Sequence, residues 1–344
     1  MTSRTVLMCL GPSSQGRLEV RPAPRQKPRP DELEVAVTAA AVNPIDVRRA
    51  HGYGRRLLSL LRAAKFPAVL GNDVAGVVSA TGAAVSAFKI GDRVYGVKPP
   101  SIDGTYASHV VLKAAHVLPA PPEQGLEALA ALPYSFVTMW LAVRGAGLTR
   151  HNAAGKNVLV HGAAGGLGTL ALQMLSAWGA AVAAIARPED FTACRAAGAV
   201  AVVDSTDGPF TSVSGIFDAT LNFASWEHDR SLLGCLRDGA LGHATTVHPL
   251  LGNFDELGWM RGALKTASDK RHHRAALPPN VNNYAWTTFR PEAAALFDLR
   301  QFVELQCVRL PIAMRAPLAN AAEAFDHARN GGRGRALILP GRSA

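Results

Sequence analysis

Cysteines are few in this sequence, carboxylates fall short of the basic residues, and uninterrupted apolar stretches are short. Each shortage excludes something. The four cysteines, Cys9, Cys194, Cys235 and Cys307, lie far apart with no C-x-x-C pair, so neither a zinc ribbon nor a disulfide framework is indicated. A reduced cytoplasm is the simplest compartment, and a cytoplasmic protein is expected. No apolar run reaches the roughly 18 residues of a membrane span. The longest stretch, around 167–186, is interrupted by Gln173, Ser176, Trp178 and Gly179. The apolar segment Thr5–Leu10 is too short for a signal peptide, ends in Gly11-Pro12, and reads as a first strand. No Arg/Ser-rich presequence is expected before it. Asp and Glu number 26 against 36 Lys and Arg, a net charge of +10. The basic residues are scattered, denser at Arg21, Arg25, Lys27 and Arg29 and at Lys270, Arg271 and Arg274 beside His272 and His273. Neither spot interleaves aromatics, which disfavours nucleic acid as the main partner. His272 and His273 have no carboxylate or cysteine nearby in sequence, and the expectation there is a solvated basic loop.

What the chain does have is length and apolar content. Its 344 residues are 48% apolar, enough for two domains at about 150 residues each, both with sizeable cores. The first 120 residues read as β-rich. Leu33–Ala39, Val74–Ser79 and Asp92–Val97 are strand-like, and glycine and proline punctuate them at short intervals. Leu57–Ala64 reads as a short basic, leucine-containing helical insertion. From about residue 125 apolar runs alternate with helical patterns. Strands are expected at Val158–Val160, Ala181–Ala186 and Val200–Val203, from Ile216-Phe217, and near 241–247. Helices are expected after Leu167, over 189–197 and over 226–237. This β-α-β-α repetition predicts an α/β fold with a Rossmann-type, doubly wound parallel sheet beside a β-rich domain. The expected division is 1–128 for the β-rich substrate domain, with a C-terminal return over 286–344, and 129–285 for the cofactor domain. Residues 266–290 read as a long loop or hinge, with Tyr284, Trp286 and Phe289 placed to cap a pocket.

The strongest chemical signal is Val158-Leu159-Val160-His161-Gly162-Ala163-Ala164-Gly165-Gly166-Leu167-Gly168: a strand, a glycine-rich turn and a helix start. Gly162 permits a sharp turn. At Ala164, Gly165, Gly166 and Leu167 backbone N–H groups can approach a pyrophosphate at the positive end of the helix. Gly168 permits close packing of that helix on the strand. Dinucleotide binding follows from the motif in this context. The second strand ends in Ile185-Ala186-Arg187, without the carboxylate that would hold the ribose 2′-hydroxyl of NAD. Arg187 suits a 2′-phosphate instead, so NADPH is favoured. A solvated arginine after a strand is the plainer alternative.

In the first domain, Ala41-Val42-Asn43-Pro44-Ile45-Asp46 precedes His51-Gly52-Tyr53, and Leu70-Gly71-Asn72-Asp73-Val74-Ala75-Gly76 and Gly91-Asp92-Arg93-Val94 follow. With the glycine motif, these blocks resemble the medium-chain dehydrogenase/reductase superfamily over residues 30–340. Val42–Asp46 and Gly162–Gly168 resemble its zinc-independent quinone oxidoreductase branch. Gly52-Tyr53-Gly54, Leu70–Val78 and Arg333-Gly334 look closest to the reticulon-interacting mitochondrial subgroup, and this chain would be a relative without the targeting sequence. The resemblance implies a GroES-like substrate domain, a Rossmann cofactor domain and a cleft between them. It also implies hydride transfer from NADPH to a quinone or another electron-poor C=C–C=O acceptor. A homodimer is expected on the same ground.

Zinc-dependent relatives place a cysteine where Asn43 stands and His-Glu where Asn72-Asp73 stands, so no metal site is expected. Asn43 suits the nicotinamide or an acceptor oxygen. Tyr53 suits proton donation or stacking, and Asp46 orients the loop. Thr138, Thr245 and Val247, Ser205, and Arg333 with Arg335 complete the expected cofactor contacts. Each has a plain structural alternative as a strand end, helix contact or surface group. Three departures from the family pattern stand out: Ser205 in place of a tyrosine, Asp218–Asn222 without the usual following glycines, and His161 at the end of the first Rossmann strand, where a packed histidine is favoured over a catalytic one. The runner-up functions are an alkenal or enoyl-thioester double-bond reductase and a low-turnover NADPH-binding protein acting through a protein or RNA partner.

Overall fold

A computed structural model describes residues 3–12, 17–206, 208 and 210–341. The first two residues of the N-terminal reading, and residues 342–344 of the expected C-terminal return, lie outside the described residues. The β-rich part begins with β1 (Ser3–Cys9) and β2 (Leu18–Pro24), an antiparallel pair, followed by the long β3 (Glu32–Val42). Helices α1 (Pro44–Ala50) and α2 (Arg55–Leu60) come next, then β4 (Ala68–Val69), β5 (Asp73–Thr81), β6 (Arg93–Val97), β7 (His109–Lys113) and β8 (Val117–Pro119).

The second part opens with α3 (Leu126–Ala130) and α4 (Pro133–Gly145). It continues as β9 (Asn157–His161), α5 (Gly166–Ala177), β10 (Ala181–Ala186), α6 (Phe191–Ala196), β11 (Ala201–Asp204), β12 (Ala219–Asn222), α7 (Asp229–Gly234), β13 (Gly242–Thr245), α8 (Leu250–Ala275), β14 (Asn283–Trp286) and α9 (Ala293–Glu304). Its six strands are parallel in the order β11-β10-β9-β12-β13-β14, the doubly wound arrangement the sequence predicts. In such a sheet the ligand crevice lies at the carboxyl ends of the strands where the order reverses, here β9 and β12.

The chain then adds β15 (Ile312–Pro317), α10 (Ala321–Arg329) and β16 (Arg335–Leu339). β16 pairs with β15 on one side and with β3 on the other, within a seven-stranded sheet. Relative to the expected boundary at 285/286, β14 belongs to the parallel sheet, and β15 is the first element to rejoin the β-rich one.

Two local features position the site. At the end of β3 the side chains alternate between two cores. Ala40 and Val42 join the core of the β-rich domain, while Ala39 and Ala41 pack with α3, α4 and the parallel sheet. Asn43 therefore emerges at the junction. In the glycine turn, Gly162 has φ +78°, and a Cβ on Gly168 would lie 2.2 Å from the Gly162 carbonyl oxygen. Only glycines let α5 approach β9 this closely, so that Leu170, Ala171, Met174 and Leu175 are buried.

The region read as a loop or hinge over 266–290 is irregular at 276–282 and 287–290, but 266–275 is the end of α8 and 283–286 is the strand β14. Helix α8 is broken at Gly258 (φ 79°, ψ −173°), and only Asn253 and Gly262 of it are buried. It therefore carries no apolar stripe for the sequence to reveal. Strand β14 is four residues long, too short to register as alternation. Tyr284 and Trp286 thus sit in the sheet rather than on a capping loop.

Candidate active site

A cavity of about 480 Å³ opens at the carboxyl ends of β9, β10 and β12. Its wall on the parallel-sheet side is His161, Gly162, Ala164, Gly165 and Gly166, with Arg187, Asp190, Ser205, Ser225 and His228 around the mouth. The β-rich domain closes it with Val42, Pro44, Gly332, Arg333, Gly334 and Arg335. Residues from both halves of the sequence therefore meet at one crevice, of a size typical for small-ligand sites.

The first turn of α5 points at this space. Gly165 is its N-cap with no side-chain cap, so the leading N–H groups of the helix are free to meet an anion. A Cβ on Gly166 would come within 3.3 Å of Arg335 Nη1 and 3.7 Å of Ser135 Oγ. Any side chain there would fill the gap between helix and arginine. Ser135 Oγ, Arg335 Nε and His228 Nδ1 are buried without a protein partner. Unpartnered donors around a glycine cradle fit a phosphorylated ligand, and a dinucleotide pyrophosphate is of that chemistry.

Arg187 and Arg333 reach toward each other across the mouth. Arg187 Nη2 lies 3.3 Å from Asp190 Oδ2, and Arg333 Nε lies 2.7 Å from Asp190 Oδ1. Glu189 is 3.2 Å from Arg187 Nε. Asp190 is buried, while both guanidiniums are more than half exposed. The pair therefore offers two forked donors to an incoming phosphate, with two carboxylates competing for them. Ser205, whose N–H donates to the Ala186 carbonyl (2.9 Å), lies beside them.

Deeper in, Arg335 donates from Nη2 to Asn43 Oδ1, and Asn43 Nδ2 donates to Asp73 Oδ2 at 2.8 Å. The Tyr134 N–H donates to the other Asp73 oxygen at 2.6 Å. Asp73 is fully buried, and desolvation pushes its carboxyl up to about 7 despite Arg335 and Asn43. Asp46 is likewise raised by burial; it accepts from the Asn43 N–H (3.0 Å) and the Tyr106 hydroxyl (2.8 Å). Both ends of the Asn43 amide are thus occupied by protein groups, and only 1% of the residue is exposed.

The remaining expected residues fall elsewhere. Tyr53 lies beside Gly252 at the start of α8, with Arg48 over its ring at 5.6 Å, and does not line the cavity. Thr138 donates to the Tyr134 carbonyl one turn back (2.7 Å). Thr245 is buried at the end of β13, where its hydroxyl accepts from the Val247 N–H at 3.3 Å. Leu167 belongs to the first turn of α5 without lining the cavity. Phe289 packs against Tyr134 in a tilted pair, ring centroids 4.4 Å apart, and does not line the cavity.

His161 is buried against Phe210 and His228, and its Nδ1 meets Asn222 Oδ1 at 3.1 Å. Burial pushes its pKa down to about 4, so it is neutral at physiological pH. Asn222 answers the absence of glycines after β12. Its Oδ1 accepts from the Ala224 and Ser225 N–H groups, and its Nδ2 donates to the Ser225 carbonyl. An asparagine-built turn thereby takes the place of the glycine turn at the cavity wall.

Behind it, Asn222 Nδ2 also donates to Asp229 (2.8 Å), which holds His243 Nε2 and His273 Nδ1, each at 2.9 Å. These imidazoles hold the Asp229 carboxyl well below the usual range. His273 also stacks on Trp226 at 4.1 Å. The solvated-loop expectation for His272-His273 is therefore corrected: His273 is a partly buried anchor of α8, and its carboxylate partner lies 44 residues away in sequence. Asp73 stood in a family block without a role of its own, Tyr134 and Ser135 lay in the segment read as opening the cofactor domain, and His228 carried no sequence signal beyond its type.

The family model for the alcohol dehydrogenase GroES-like domain matches residues 29–122. The human NAD(P)H oxidoreductase RTN4IP1, mitochondrial, is 33% identical over 325 residues, covering 90% of this chain and 82% of the relative. The spinach (Spinacia oleracea) quinone-oxidoreductase homolog, chloroplastic, is 34% identical over 179 residues, covering 52% of this chain and 53% of the relative. Among solved structures, the quinone oxidoreductase from Coxiella burnetii shares the fold with a TM-score of 0.81 at 21% identity, covering 98% and 99% of the two chains. The cytoplasmic expectation is corrected by these relatives, since the one matched along most of its length is named mitochondrial. No helix among the described residues is long and apolar enough to cross a membrane.

Proposed function

The chain belongs to the NAD(P)H oxidoreductases of the medium-chain dehydrogenase/reductase superfamily, in the quinone oxidoreductase branch, and from that premise we propose that it reduces a quinone or an α,β-unsaturated carbonyl with NADPH. The observation that carries the reading is the cavity that joins the free N-terminus of α5 to Arg187, Arg333 and Arg335. NADPH, when bound, supplies a hydride; the acceptor takes that hydride and one solvent proton, leaving NADP⁺ and the reduced acceptor.

The protein's part is to bind, orient and exclude water. The backbone of Ala164, Gly165 and Gly166, which lines the cavity at the start of α5, and the Ser135 hydroxyl would hold the pyrophosphate. Arg187 and Arg333, now paired with Asp190, would hold the 2′-phosphate. Asn43 acts through position, holding Arg335 against the cavity while anchored to Asp73. Neutral His161 is a wall of the site rather than a proton donor.

The test is a fluorescence titration of wild type and Arg187→Ala with NADPH and NADH, followed by a panel of quinones, enones and enoyl thioesters. NADPH affinity is expected to fall about tenfold in the variant, with NADH unaffected, as the loss of one charge-assisted pair implies. Equal loss for both nucleotides would remove Arg187 from the 2′-phosphate. Turnover of enoyl thioesters alone would select the double-bond reductase reading, and binding without turnover would leave a cofactor-binding protein.

A further inference from the structure

The basic, leucine-containing segment that the sequence marks at 57–64 has no part in the cofactor site. Helix α2 lies along α8, fixed by Asp255, which accepts from the Gly54 N–H (2.5 Å) and the Arg56 N–H (3.1 Å). The Arg56 guanidinium donates to the Phe254 carbonyl at 2.8 Å. Past this clamp, the break at Gly258 brings Trp259 to the same shallow depression as Arg55, Arg62, Lys65 and Ile102.

The surface here is apolar in an unusual degree. Leu60 (69%), Leu61 (67%), Met260 (77%) and Leu264 (67%) are the most exposed of its side chains, joined by Ile102, Leu257 and Trp259. Seven of the thirteen exposed large apolar side chains among the described residues are carried by α2 and its C-cap, α8 and the segment at Ile102; Ile102 and Trp259 line one depression, and α2 packs along α8. Met260 and Leu264 are four apart and share one helix face. Around them Arg55, Arg62, Lys65 and Arg261 enter no ion pair formed among the described residues; Asp255 is consumed by the clamp and Asp269 by Lys265, which leaves the exposed Glu256 as a single carboxylate against four cations.

We propose that α2 and the second half of α8 form a surface that rests on an anionic lipid bilayer. Leucine, methionine and tryptophan would enter the acyl boundary, and the arginines and lysine would reach back to lipid phosphates. The charge selects this occupant. A two-fold contact with a second copy would set the patch against itself, placing unpaired cations of a +10 chain face to face. Nucleic acid would answer the charge and leave Leu60, Leu61, Met260 and Leu264 uncovered.

The experiment is co-sedimentation of the full chain with vesicles of phosphatidylcholine alone and of phosphatidylcholine mixed with phosphatidylglycerol. Two variants accompany wild type: Leu60→Ser/Leu61→Ser/Met260→Ser and Arg62→Glu/Lys65→Glu. Wild type is expected to partition onto the anionic vesicles only. Each variant should lose about tenfold or more of that partitioning, since each basic residue near such a surface contributes a several-fold factor. Far-UV circular dichroism and NADPH titration should stay unchanged in both. The proposal is overturned if wild type ignores both vesicles, or if the charge reversal leaves partitioning intact. It is equally overturned if light scattering shows a dimer that the serine variant dissociates, because a second copy would then cover the patch.

Discussion

Asp73 and Asp229 are both fully buried, yet they lie at opposite extremes of acidity. Asp73 accepts from an amide and a backbone N–H, and burial outweighs the nearby Arg335, raising its pKa to about 7. Asp229 accepts from two imidazoles and an amide, and its pKa is driven far down. Depth of burial is the same for both. What differs is whether the donors can carry charge. A carboxylate among neutral donors stays poised near neutrality at a domain junction, whereas one between two histidines becomes a fixed anchor inside the sheet.

The largest test of this contrast is Asp229→Asn. It leaves His243 and His273 without their shared anion, and a loss of roughly 3–5 kcal/mol in unfolding free energy is expected from denaturant titration. The depressed folded pKa of Asp229 gives wild type a stability contribution that is present above the unfolded value. That contribution fades as pH falls toward the folded one, and the variant should lack this acid-side slope.

Asp73 should produce a slope of opposite sign. Its folded pKa is raised, so its contribution is complete below the unfolded value and is lost as pH rises through about 7. Over that window wild type should lose at most about 4 kcal/mol, the equivalent of three pKa units, and Asp73→Asn should flatten the curve. Parallel slopes for the two variants between pH 4 and 8 would dissolve the contrast.

A local test reads binding as well: Arg335→Met should raise the Asp73 pKa further, weaken NADPH binding about tenfold, and cost about 1–3 kcal/mol of stability by leaving the buried Asn43 Oδ1 without its donor. The adjacent histidines give a finer test. His273→Ala removes a hydrogen bond to a buried charge and should cost about 1.5–3 kcal/mol. His272→Ala, at an exposed helix position, should stay within about 0.5 kcal/mol.

Sequence reading reached the parts of this molecule whose demands are local. A strand, a sharp turn and a helix packed at glycine distance leave a mark within eleven residues, and so the cavity floor was legible. Arg187 was legible because it stands where a second strand must end. Asn43 was found through its motif, but not its occupation by Arg335 and Asp73, because hydrogen-bond partners 292 and 30 residues away leave no spacing to read. The same holds for His273 and Asp229. Helix α8 escaped for a different reason: it is anchored at a few points, with scarcely any buried face, so periodicity had nothing to report.

The Arg335–Asn43 contact also has a consequence for how the cleft is closed. One partner follows β3 near the start of the chain and the other stands on β16, 292 residues later, in the same β-rich sheet. The cleft is therefore closed by a pairing between strands remote in sequence, and the wall facing the glycine cradle depends on β16 as much as on β3.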